Sequence, residues 1–211
     1  MNLLNQDIIG CDESGVGDYF GPVVFACCYI SNEHRVDNKI KNLLIDSKKI
    51  TDRDIVDYYN KIKDYCKYEV LVDNVYEFNK KMATIKNQNK IKVDNYYKLV
   101  EKMLNNNSEL KTKEIVLDQF TTINKFNEFS QNKNKDISFK LLTKAEDSYL
   151  NVAGASIIAR YHYLEEIKKI ESEYNFCVLK GASSKVKDLV LECKKRFPNK
   201  WEFIIKKHFK I

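Results

Sequence analysis

An uninterrupted apolar run of eight residues, Val23–Ile30, constrains the fold of this 211-residue chain more than any other feature. Its β-branched and aromatic residues predict a strand that is buried on both faces. A second strand is predicted over residues 7–12, and the glycine-rich turn between them predicts that the two strands pair as a central hairpin. The run is far shorter than the ~20 residues that a membrane-spanning helix needs, which excludes a transmembrane protein.

The rest of the chain predicts strands that alternate with helices, which is typical of one mixed sheet flanked by helices. Strands are predicted at 67–73, 114–118 and 137–142. Helices are predicted within 39–64 with an interruption at 46–49, as one short and one long helix within 74–104, at about 146–170, and at 183–197 and 201–208. The fold class is therefore α/β, with a helical C-terminal segment.

The net charge of +6 is unevenly placed along the chain. Residues 1–180 carry equal numbers of basic and acidic side chains, whereas residues 181–211 carry nine basic and three acidic ones. We therefore divide the chain into a neutral body, 1–180, and a basic helical segment, 181–211, packed on the same domain. A solvated helical face and a surface for a polyanion, with Lys194, Lys195 and Arg196 as phosphate contacts, both explain this excess.

The N-terminal residues show no basic stretch followed by an apolar one, so no secretory signal is expected and the protein is predicted to be cytoplasmic. Six cysteines occur without a C-x-x-C pair. Cys27 and Cys28 are neighbours in a predicted strand, so their side chains point to opposite faces and cannot share a metal. We expect free thiols in a reducing compartment.

Acidic residues stand where predicted strands end, and this placement indicates the chemistry of the chain. Asp12 and Glu13 follow one apolar strand, and Asp118 ends another. In an ideal strand Asp12 and Glu13 face opposite ways, so the chain must turn there if both serve one site. A polar turn with a helix-capping role is the alternative for this pair. Glu146 and Asp147 begin the predicted helix at 146–170, where acids are favoured by the helix dipole alone.

Carboxylates brought together without a counter-charge repel each other, and their pKa values rise. A pair of divalent cations relieves this repulsion, because Mg²⁺ and Mn²⁺ prefer carboxylate and water oxygens. Two such cations form the usual clamp for in-line displacement at a phosphodiester. The acidic residues therefore predict phosphodiester hydrolysis.

Residues 9–22 (IGCDESGVGDYFGP) resemble the first signature of the type 2 ribonucleases H, and the GDYFGP ending is similar to ribonuclease HIII. The remaining motifs of that family match in order at 46–51, 117–120, 144–146, 152–161 and 180–186, and the ending at 207–210 also fits. The resemblance covers nearly the whole chain and implies the RNase H-like fold, a five-stranded mixed sheet with flanking helices.

The resemblance also implies an activity: endonucleolytic cleavage of the RNA strand of RNA/DNA hybrids with Mg²⁺ or Mn²⁺, giving 5′-phosphate and 3′-hydroxyl ends. The acidic residues of the family map onto Asp12, Glu13, Asp118 and Glu146 as catalytic residues and metal ligands, with Asp147 as the alternative for the fourth. Substrate contacts map onto the following residues: Ser14, Gly15, Val16, Gly17, Lys48, Lys180 and Lys185. The expected partner is the hybrid, bound by a monomer without a membrane or a small-molecule cofactor.

Full-length ribonuclease HIII usually carries an N-terminal domain resembling the TATA-binding protein, whereas here the signature begins at Ile9. We therefore expect a chain without that domain and with more salt-sensitive binding. Two alternatives remain open. One is a ribonuclease HII-like enzyme that cuts at single ribonucleotides in duplex DNA, and the other is a non-catalytic module that binds hybrids.

Overall fold

A computed structural model describes residues 7–45 and 50–209. These residues form one five-stranded mixed sheet in the order β3-β2-β1-β4-β5. Its strands are β1 (Ile9–Ser14), β2 (Val23–Ile30), β3 (Cys66–Asp73), β4 (Glu114–Asp118) and β5 (Ser138–Leu142). β1 is antiparallel to β2 and parallel to β4, so the predicted hairpin is confirmed with β1 at the centre of the sheet.

Helices cover both faces of this sheet, which confirms the predicted fold class. Within the described ranges they are α1 (Asn32–Val36), α2 (Asn38–Ile45), α3 (Ile55–Ile62), α4 (Val75–Ile85), α5 (Gln88–Asn106), α6 (Ile123–Phe129), α7 (Leu150–Tyr174) and α8 (Ser184–Arg196). The helical interruption predicted at 46–49 lies outside the described residues.

Two apolar layers meet the two faces of the sheet. Alternate residues of β1 and β2, among them Cys11 and Cys27, pack against α5 on one face. Cys28 lies on the other face, where α7 packs. The cysteines of the described residues are free thiols, as predicted.

Glycine lets α7 lie directly on β1 and β2. A Cβ on Gly10 would stand 2.2 Å from the backbone carbon of Asn151, and a Cβ on Gly154 would stand 2.9 Å from the sulfur of Cys28. Both approaches are closer than real Cβ atoms allow. The small residues at the start of α7 therefore set its distance from the sheet, and with it the position of every α7 side chain that faces the strand ends.

The C-terminal segment packs on the turn after β1. Val186, Val190 and Cys193 of α8 share an apolar cluster with Tyr19 and Phe20. The division of the chain into residues 1–180 and 181–211 stays a prediction.

The helix predicted at 201–208 is wrong. Only Trp201–Phe203 form a short 3₁₀ turn, and Ile205 pairs with Phe20 as a β-bridge. The backbone of this segment bonds to the turn after β1, since Gly21 N–H donates to the carbonyl of Ile204 at 3.1 Å. A helix would use the same groups internally. None of the helices in the described residues is long and apolar enough to span a membrane.

Candidate active site

Asp12 and Asp118 occupy equivalent positions on two neighbouring parallel strands. Cys11 pairs with Leu117 in the register of β1 and β4, and each aspartate is the next residue of its strand. The carboxyl ends of parallel strands meet at one edge of a sheet, where ligands usually bind. Residues in register share a face, so both aspartates project toward the layer that contains α7.

Backbone and side-chain donors hold these two carboxylates. Asp118 Oδ1 accepts a hydrogen bond from the N–H of Ala145 at 3.1 Å, and Asp12 Oδ1 accepts one from the N–H of Glu13 at 2.8 Å. Ser156 of α7 also hydrogen-bonds to Asp12. Because Ala145 precedes Glu146, the bond to Asp118 anchors the 3₁₀ turn Ala145–Asp147, which carries the fourth predicted carboxylate, Glu146.

Burial and negative charge act together on Asp12. The pKa of Asp12 is raised to about 7, chiefly by burial and next by repulsion from Glu13, with a smaller contribution from Glu146. The hydrogen bond from Ser156 acts in the opposite direction and lowers this pKa. Burial and repulsion both disfavour the negative charge of Asp12, and a bound positive charge would relieve them. Hard oxygen donors in such surroundings fit a divalent cation.

Glu13 lies on the opposite face of β1. The β1–β2 ladder continues in register through Glu13 and Ser14, so the chain turns only after both acids and not between Asp12 and Glu13. The Glu13 carboxylate is bonded there by the ammonium of Lys92 and the hydroxyl of Tyr96, both on α5. Lys92 is buried, and its Nζ lies 3.8 Å from the centre of the Phe120 ring.

The structure therefore brings Asp12, Asp118 and Glu146 to one side of the strand ends and gives Glu13 separate partners. Within residues 7–45 and 50–209, no three carboxylate, imidazole or thiol groups stand close enough together to form a ready-made cation site. The assignment of the four acids as ligands stays a prediction.

The turn after β1 contains two glycines with different roles. Gly15 has φ +86°, and a Cβ there would stand 2.4 Å from the carbonyl oxygen of Pro22. Gly17 is exposed, with no atom within 4 Å of where its Cβ would be. Ser14 and Val16 beside them are half-buried. The turn is therefore fixed at Gly15 and open at Gly17.

The three predicted lysine contacts have different surroundings. Lys48 lies outside the described residues. Lys180 is exposed and forms an ion pair with Asp52, whose carboxylate also accepts from Nε of Arg160 at 2.8 Å. Lys185 is exposed in the first turn of α8. Lys194 and Lys195 lie in the last turn, roughly 15 Å further along the helix axis.

Several residues near the carboxylates and the turn after β1 were missed in the sequence analysis. The sequence patterns that could have indicated these residues differ in strength. Lys92 shares the buried face of α5 with Tyr96 and Leu99, and a lysine at helical spacing among apolar residues was a visible anomaly. Ser156 lies inside the family motif matched at residues 152–161. The buried Lys206 carried no local signal, because its partners lie about 185 residues earlier in the chain.

Comparison with known proteins assigns the chain to a family. The family model described as ribonuclease HII matches residues 9–211. The chain belongs to the ribonuclease HII family. The ribonuclease HIII of Enterococcus faecalis is 34% identical over 184 residues, which are 86% of this chain and 59% of the relative. The chain thus spans less than two thirds of that relative.

Solved structures of this family have the same fold. Bst-RNase HIII in complex with Mn²⁺ superposes with a TM-score of 0.86 at 27% identity, covering 98% of this chain and 69% of that one. RNase H3 from Aquifex aeolicus superposes with a TM-score of 0.78 at 31% identity, covering 98% and 73%. The resemblance to type 2 ribonucleases H, and to ribonuclease HIII among them, is confirmed.

Proposed function

We propose that this chain is an endoribonuclease that hydrolyses the RNA strand of RNA/DNA hybrids. The observation that carries the proposal is the in-register placement of Asp12 and Asp118 at the ends of parallel strands, with Glu146 close enough to act on Asp12, in a member of the ribonuclease HII family. Phosphodiester hydrolysis at such a carboxylate cluster leaves a 5′-phosphate and a 3′-hydroxyl.

Asp12, Glu13, Asp118 and Glu146 would hold two divalent cations, Mg²⁺ or Mn²⁺. The residues fit this role because burial and repulsion from Glu13 disfavour the negative charge of Asp12, which a divalent cation would stabilise, and because the donors are carboxylate oxygens. Bound cations would activate the attacking water and stabilise the leaving oxygen. A relative, Bst-RNase HIII, has been solved in complex with Mn²⁺, which supports the use of a divalent cation.

The protein's own groups orient these acids. The hydrogen bond from Ser156 favours the ionised form of Asp12, the form that binds a cation. The N–H of Ala145 fixes one oxygen of Asp118 and leaves the other free to act as a ligand. Lys92 and Tyr96 hold Glu13 on the α5 side, so Glu13 must exchange these partners, or share them, when it binds a cation.

The hybrid would lie across the turn after β1. Residues 14–17 follow the carboxylates directly, and an open backbone at Gly17 is suited to contact with ribose 2′-hydroxyls, the groups that distinguish RNA from DNA. We assign phosphate contacts to Lys48, Lys180 and Lys185. Lys180 would have to leave Asp52 to reach a phosphate, whereas Lys185 is exposed at the end of α8 nearest the turn.

The proposed reaction uses only water, carboxylates and divalent cations, so it needs no organic cofactor. We also propose that the chain is a monomer in the cytoplasm. The substrate preference is proposed to be that of ribonuclease HIII, which favours runs of ribonucleotides.

Side-by-side assays test this function. The chain should cleave a duplex with a long RNA strand faster than a DNA duplex that contains one ribonucleotide, in Mg²⁺ or Mn²⁺. The opposite preference would indicate a ribonuclease HII-like enzyme. Binding of the hybrid without cleavage in either metal would indicate a non-catalytic module.

A further inference from the structure

A lysine near the C-terminus is buried against the turn that follows the candidate active site. Lys206 is 1% exposed. Its Nζ donates to the carbonyl of Gly21 at 2.5 Å and to that of Phe20 at 3.3 Å, and its own N–H donates to the carbonyl of Tyr19 at 2.8 Å. One residue thus binds three consecutive carbonyls. Since burying an ammonium costs several kcal/mol, these partners explain why the group is tolerated.

Gly181, at the start of the C-terminal segment, also holds this turn. Asp18 Oδ1 accepts from the N–H of Gly181 at 2.5 Å, and Tyr19 N–H donates to the carbonyl of Gly181 at 3.3 Å. The Asp18 carboxylate also faces Lys206 and stabilises its positive charge. The turn is therefore hydrogen-bonded to the C-terminal segment at two points, the backbone of Gly181 and the buried side chain of Lys206.

These ties lie on the half of the turn that leads into β2. The other half, at Gly17, has open space around it and lies five residues from Asp12. On the proposed function, a polynucleotide whose phosphodiester reaches Asp12 would pass over this open half. Because only residues 15–22 join β1 to β2, we expect freedom at residues 18–21 to move the open half as well.

We propose that Lys206 is a positioning residue for substrate recognition, fixing the turn at residues 15–22 so that its open backbone at Gly17 meets the hybrid in one defined conformation. The inference rests on the proposed function. It assigns Lys206 a role in binding and specificity and none in the chemical step, because Lys206 bonds to turn carbonyls and to no carboxylate of the site.

Replacement of Lys206 by methionine tests the proposal, because it keeps the length and apolar stem of the side chain. Lys207→Met is the matched control: it makes the same substitution one residue away, at an exposed lysine that pairs with Glu202 at 2.5 Å. We expect Lys206→Met to raise KM and the hybrid Kd at least about tenfold, with kcat changed less than about twofold. Lys207→Met should change each by less than about twofold.

Amide hydrogen exchange supplies a readout that is independent of activity. In Lys206→Met the amides of Tyr19 and Gly21 should exchange faster while those of β1 keep their protection. Faster exchange in the turn with unchanged KM and Kd would overturn the proposal, as would a fall in kcat as large as the rise in KM.

A second variant covers the case in which Lys206→Met fails to fold. Asp18→Asn weakens the tie to Gly181 and removes the charge that faces Lys206, at a half-buried position. It should raise KM in the same way, and an unchanged KM would overturn the proposal. If the wild-type chain does not cleave the hybrid at all, the proposed function fails, whereas hydrogen exchange and hybrid binding still test the anchoring of the turn.

Discussion

Two glycines of one turn give a prediction that separates folding from substrate contact. In Gly15→Ala, a side chain must adopt φ +86° and stand 2.4 Å from the Pro22 carbonyl oxygen. The left-handed conformation costs about 1–2 kcal/mol, and the forced shift of packed backbone adds about 1–3 kcal/mol. The free energy of unfolding should therefore fall by about 2–5 kcal/mol, which lowers Tm by roughly 4–20 °C for a chain of this length.

Gly17→Ala is the matched control for folding, because its Cβ meets no atom within 4 Å and its φ is outside the left-handed region. Its free energy of unfolding should stay within about 1 kcal/mol of wild type. If a hybrid approaches this backbone closely, the added methyl group should still weaken hybrid binding roughly fivefold, or about 1 kcal/mol.

Urea unfolding and hybrid titration measure the two effects separately. Equal losses of stability in Gly15→Ala and Gly17→Ala would refute the geometry of the turn. Unchanged hybrid affinity in Gly17→Ala would refute the contact proposed for its open half.

Two further predictions concern charge. Burial lowers the pKa of Lys206 to about 7 from an ordinary value of 10.5, so between these values the unfolded chain holds the proton and the folded chain does not. The free energy of unfolding should therefore rise with pH in this window, by at most about 1.4 kcal/mol per pH unit. Urea unfolding at pH 7–10 should show that Lys206→Met loses this contribution to the pH dependence. The same pH dependence in the wild type and in Lys206→Met would contradict the prediction. His208, whose pKa burial and Lys206 lower to about 4, titrates below the window. Lys185→Gln should reduce the slope of the salt dependence of hybrid binding by about 1, and Lys195→Gln, at the far end of α8, by less. A slope in Lys185→Gln equal to that of the wild type would show that Lys185 is a solvated surface residue.

Local patterns predicted the elements whose signal is local. β2 and β4 were predicted with their observed bounds, because a β-branched apolar run between polar turns has few other ways to be buried. The register between β1 and β4 comes from the structure, and it places Asp12 and Asp118 together.

The misses share one physical cause, which is a partner that is distant in sequence. The apolar spacing of Trp201, Ile204 and Ile205 also suits a helix, but the turn after β1 takes the backbone groups that a helix would need. A turn of the chain between Asp12 and Glu13 was expected only if both acids serve one site. The ladder with β2 keeps β1 straight and leaves Glu13 against Lys92, a residue 79 positions later.

The most direct test of the account compares Asp12→Asn with Asp136→Asn, which changes an exposed aspartate that precedes β5, at the edge of the sheet opposite to the carboxyl ends of β1 and β4. Cleavage of an RNA/DNA hybrid in Mg²⁺ or Mn²⁺ should fall at least about a thousandfold in Asp12→Asn, with hybrid binding and Tm retained, and stay at the wild-type rate in Asp136→Asn. Cleavage by Asp12→Asn at the wild-type rate would contradict the central claim that the carboxylates at the ends of β1 and β4 form the active site.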